Sequence, residues 1–117
     1  MTPAARVQTA IEILDAIATS ARDGGAPADA IFAEAMRARR YAGSKDRRAI
    51  RNHVYDAVRS VRSVPATGRA AMLALADADP ELAALFDGAP YGPAAISADE
   101  PRAETGIATT ALMKLFD

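Results

Sequence analysis

Apolar residues recur along this chain three and four positions apart, and Gly and Pro cut the pattern into blocks. Val7, Ile11, Leu14 and Ile17 or Ala18 mark a buried stripe that runs to about Ala21. Thr2 offers an N-cap oxygen before it, and Pro3 has the fixed φ of a first helical residue. Gly24-Gly25 ends this helix. Pro27 starts a second, with Ile31, Phe32, Ala35 and Met36 inward and Arg37, Arg39 and Arg40 at its exit. The turn Tyr41-Ala42-Gly43 leads into a third over residues 44–62, with Ser44 as N-cap and Pro65 closing the far end. Thr67 caps a short fourth helix carrying Met72, Leu73 and Leu75. Asp79-Pro80-Glu81 opens a fifth, with Leu82, Leu85 and Phe86, stopped by Gly88. No segment alternates with a strand's period of two. The pattern predicts an all-α protein, an antiparallel helical bundle.

From Gly88 to Pro93 the chain turns irregular. Ser97-Ala98-Asp99-Glu100 has capping-box spacing and predicts a short helical turn. Gly106 interrupts again, and Leu112, Leu115 and Phe116 predict a last amphipathic turn or two over residues 109–116. The expected division is a helical domain over 1–88 and an exit loop and linker over 89–117.

Composition narrows the function classes. A chain of 117 residues suits one domain and buries roughly 65% of its unfolded surface. There is no Cys, hence no disulfide, thiolate nucleophile or Cys-based metal site. No apolar run reaches spanning length, and the start lacks the basic-then-apolar order of a signal peptide. A cytoplasmic protein without membrane contact is expected, as a monomer.

The formal net charge of −1 hides a polarised distribution. Ten of the fourteen Lys and Arg residues fall between Arg37 and Arg69, where the only acids are Asp46 and Asp56. That window carries +8 and the remainder −9. At about 100° per residue, with Arg47 at zero, Arg51 falls near ~40°, Arg62 near ~60°, Arg48 near ~100° and Arg59 near ~120°. Ile50, Val54, Ala57 and Val61 occupy about 280° to 340°. The third helix therefore has an apolar face for a core and an arginine face for something else. Tyr55, near ~80°, sits among the arginines, where a base could stack. Arg37, Arg39, Arg40, Lys45, Arg48, Arg51, Arg59 and Arg62 are the candidate contacts for a polyanion. The plain alternative is a solvated face whose arginines pair with acids.

Catalysis has little to work with. His53 is the only histidine and lies near ~240°, at the edge of the apolar face, as a structural residue would. Asp77, Asp79, Glu81 and Asp87 match no calcium loop and read as cap and first-turn acids. No catalytic residue, metal ligand or cofactor site is assigned to this chain.

The run from Arg40 to Arg59, with Asp46-Arg47, Val54-Tyr55 and Arg59 as its fixed points, resembles the N-terminal domain of bacterial RsmB/Sun-type ribosomal RNA methyltransferases. The opening Pro3-Ala4-Ala5-Arg6-Val7-Gln8 and the later Leu85-Phe86-Asp87-Gly88-Ala89-Pro90-Tyr91-Gly92-Pro93-Ala94 resemble that family too. The resemblance implies a NusB-like helical fold that binds ribosomal RNA. It also implies a following domain that uses S-adenosylmethionine and a Cys nucleophile against cytosine C5. This chain has neither that Cys nor a strand followed by a Gly-rich loop, so it reads as the RNA-binding module. The resemblance makes Asp46 a helix-start acid that holds backbone or Arg47, and Val54 and Tyr55 packing residues. A second function class remains beside it: NusB-like domains also dock proteins, as in transcription antitermination.

Overall fold

The computed structural model describes residues 1–106. Local capping chemistry sets most of its helix starts. Thr2 Oγ1 accepts the Ala5 N–H at 3.1 Å, Pro3 occupies the first position, and α1 runs over Pro3–Asp23 to a left-handed Gly24. Pro27 precedes α2, Ala28–Ala38. Thr67 Oγ1 accepts the Ala70 N–H at 3.0 Å and opens α4, Gly68–Ala76. Asp79 Oδ1 accepts from both Glu81 and Leu82 and opens α5, Pro80–Ala83. The described residues contain no sheet, and the all-α reading holds.

The third helix departs from expectation at both ends. α3 spans Ser44–Ser60, and its N-cap is Gly43 rather than Ser44. Asp46, three residues on, supplies the missing side-chain acceptor by taking the Gly43 N–H at 3.1 Å. At the far end Val61 turns extended (ψ 145°) and forms an antiparallel bridge with Thr105. Arg62 N donates to Glu104 O at 3.0 Å, and Gly106 N to Ser60 O at 3.0 Å. The returning chain satisfies backbone groups that another helical turn would have used, so Arg62 leaves the stripe.

α1 lies in the middle and packs against α2, α3 and α4, while α4 packs against α3 and α5. That placement explains why α1 is buried around much of its circumference. Ile13 and Ala10 are buried along with the expected Val7, Ile11, Leu14, Ile17 and Ala18. Ile50, Val54, Ala57 and Val61 face the same core, as do Met72, Leu73, Leu82 and Phe86.

Residues 89–106 fold back along the helices instead of leaving them. Pro93 is fully buried, and Ile96 and Ala103 pack against the core. Ala103 N donates to Ala70 O at 3.1 Å. Residues 98–100 form a turn, not a helix, in which Ser97 N donates to Glu100 Oε2 at 2.8 Å. Residues 109–116, expected to be helical, lie outside the described residues.

α1 and α4 meet at Gly68. A Cβ there would sit 2.8 Å from Asp15 N and 2.9 Å from Leu14 Cβ, and closer still to Ile11 O. Asp15 Oδ1 also accepts the Gly68 N–H at 2.6 Å, so one side chain of α1 caps α4 at the crossing. Gly68→Ala should destabilise the protein by about 1–3 kcal/mol through overpacking against backbone that cannot yield. Urea unfolding checks this, and unchanged stability would mean the helices are not in this contact.

Candidate nucleic-acid interface

The corner between α2 and α3 is built by side chains that hold backbone. Asp46 is 8% exposed. Its Oδ1 accepts from Arg6 Nε at 2.8 Å, while Oδ2 accepts from Gly43 N and lies 3.6 Å from the Met1 amino group. The Arg6 bond, then the Gly43 N–H and the nearby positive charges, outweigh burial and hold the Asp46 carboxyl below its usual range. Arg47 does not pair with Asp46. Its Nε donates to Ala42 O at 3.0 Å and its second terminal nitrogen to Arg39 O at 3.2 Å, which also accepts the Ala42 N–H at 3.0 Å within the turn after α2. Arg39 donates to Ala35 O at 3.1 Å and pairs with Glu12 of α1 at 3.3 Å.

The remaining basic residues divide sharply from these. Arg48, Arg51 and Arg59 are exposed on α3, and Arg37, Arg40 and Lys45 are exposed just before or at its start. Arg62 is exposed as well, but beyond the helix. None of these seven side chains makes a hydrogen bond or ion pair with a described residue. Two do contact an aromatic ring. Arg51 lies 4.4 Å and Arg59 5.6 Å from the half-buried Tyr55 ring, and Arg51 is 5.9 Å from Phe32. Tyr55 and Val54, one half-buried and one fully buried, thus serve packing, and the two guanidinium groups cover the ring that was a candidate for base stacking.

Arg69, the last basic residue of the window, belongs to the returning segment. Its Nε donates to Glu100 at 2.6 Å and a terminal nitrogen to Ala94 O at 3.0 Å. This pair and the Ser97 N–H pull Glu100 down to about 2. Arg102 pairs with Asp77 at 3.2 Å. Asp79 caps α5, and Asp87 accepts from Ala89 N at 2.9 Å, so three of the four acids between 77 and 87 have structural partners. His53 is half-buried, and desolvation is the main influence lowering its pKa. Among the described residues no three His, Asp or Glu side chains converge on a metal position. Nor do the described residues contain a strand before a Gly-rich turn. None of the described helices is long and apolar enough to cross a membrane.

The sequence pattern missed Arg6, which organises the corner from forty residues away. The available signal was a charged residue set between buried Ala5 and Val7. Comparison with protein-family models, curated proteins and solved structures found no match to this chain.

Both anchoring carboxylates make stability sensitive to acid. Their folded pKa values lie below the ordinary 3.8 of Asp46 and 4.5 of Glu100, so their contribution is present above those values and lost as pH falls through the folded ones. Asp46→Asn and Glu100→Gln should each lower Tm at pH 7. Each should also flatten the acid decline, with Glu100→Gln converging on wild type toward pH 2. Melting curves from pH 7 to 2 test this; variants that track wild type in parallel would contradict it.

Proposed function

We propose that this chain is an RNA-binding module that presents ribosomal RNA to a cytosine-C5 methyltransferase domain, working in the cytoplasm and in a NusB-like fold. The observation that carries the reading is the set of seven exposed cations without an acidic partner among the described residues, six at the α2 exit and along α3 and Arg62 just beyond its end. Solubility gives no reason to segregate charge in this way, whereas a phosphate backbone supplies the absent counter-charge. Arginine's planar fork also grips phosphate oxygens in pairs. Arg39, Arg47 and Arg69 drop out of the contact set in this reading, because each already holds a carbonyl or carboxylate. The resemblance of residues 40–59 to the RsmB/Sun family supplies the choice of ribosomal RNA.

Neutralising about 4 phosphates of single-stranded RNA gives a log–log salt slope near ~−3, at about −0.7 per contact. Replacing Arg51 and Arg59 with Gln should shallow that slope by roughly 1 to 1.5. Titrations at several salt concentrations, beside melting curves, measure both. A double variant that melts normally and keeps the full slope would reduce the stripe to a solvated face.

A further inference from the structure

Two of the seven exposed cations differ from the others, because a ring holds them. Tyr55 lies four residues from Arg51 and four from Arg59, the spacing at which side chains on one helix meet. The Arg51 guanidinium carbon is 4.4 Å and that of Arg59 5.6 Å from the centre of the Tyr55 ring. Phe32 of α2, itself buried, adds a second ring 5.9 Å from Arg51. Among the described residues no ring stands over Arg37, Arg40, Lys45, Arg48 or Arg62. Two like charges are thus gathered on one ring, and no carboxylate pairs with either.

The way an arginine is held decides what it can still bind. Arg39, Arg47 and Arg69 are fixed by hydrogen bonds, which consume N–H donors. A guanidinium held over a ring by cation–π attraction uses none of its five donors. Arg51 and Arg59 therefore keep the whole fork that grips an oxyanion, and the ring restricts where the fork can point. A long side chain without such a hold must give up its rotamer freedom at the moment of binding. The ring also offsets part of the repulsion between the two cations, and an anion between them would remove the rest.

We propose that Tyr55 is the positioning residue of this face: it holds Arg51 and Arg59 as a preset pair of forks for the phosphates of an RNA strand. The inference rests on the RNA-binding reading above. It adds that these two arginines anchor the strand, while Arg37, Arg40 and Arg48 supply charge without a fixed direction. Tyr55 then raises affinity by preorganisation and leaves the number of neutralised phosphates unchanged.

The test titrates the full chain with an oligouridine of roughly ten nucleotides at several salt concentrations. Tyr55→Leu keeps apolar bulk and removes the ring. It should weaken binding about five- to tenfold at each salt concentration, with the log–log slope unchanged. Tyr55→Phe should bind as wild type does, since the π-face remains. Arg51→Lys with Arg59→Lys keeps both charges and removes both forks, so it should lose about as much affinity as Tyr55→Leu at the same slope. Arg37→Lys with Arg48→Lys should change neither. Proton spectra of the free protein give a readout that needs no RNA. The Arg51 and Arg59 side-chain resonances should be shifted upfield by the ring in wild type and Tyr55→Phe, and not in Tyr55→Leu. If folded Tyr55→Leu binds RNA as wild type does, or if the Arg37/Arg48 pair of lysines costs as much as the Arg51/Arg59 pair, the positioning role falls and the RNA-binding reading survives. Should Tyr55→Leu melt below the assay temperature, the two lysine pairs decide alone. If wild type does not bind the RNA, both readings fall.

Discussion

Asp46 is the point on which the α2–α3 corner depends. A nearly buried carboxylate at the start of α3 stands where the helix dipole and free N–H groups favour negative charge. It takes the Gly43 N–H, which replaces the side-chain cap that glycine lacks, and it takes Arg6 from α1. One residue thereby starts a helix and ties it to the central one. Arg47 completes the corner by binding the carbonyls of Ala42 and Arg39. The exposed cations around the turn are held in place by this scaffold, which consumes some of the chain's arginines so that the others can face solvent.

The division of labour among the arginines is the part least readable from the sequence. Arg47 and Arg48 are neighbours of identical chemistry. One faces the Ala42 and Arg39 carbonyls in the turn after α2, and its neighbour is about 100° further around the helix and faces solvent. Only the position of α2 decides which is which. By contrast, Thr2, Thr67 and Asp79 were legible as caps, because their acceptors serve amides two or three residues away. The apolar stripe of α3 was legible for the same reason of short range. Its end was not: Val61 straightens to meet Thr105, a partner 44 positions distant.

The returning segment shows the same limit. Pro-, Gly- and Ala-rich sequence over residues 88–106 carries no apolar periodicity, and it reads as a chain leaving the domain. In the structure Arg69 holds Glu100 and the Ala94 and Ala95 carbonyls, while Arg102 holds Asp77. Tertiary ion pairs and backbone bonds replace helical periodicity as the source of order there.

The central claim is that RNA meets this protein at the α2–α3 corner. Backbone amide chemical shifts, followed during titration with oligouridine, test it most directly. The account places the largest changes at Arg37 to Arg40 and from Lys45 along α3 to Arg59, with α5 unaffected. Changes centred on α5, or spread evenly at low amplitude over the whole chain, would contradict it.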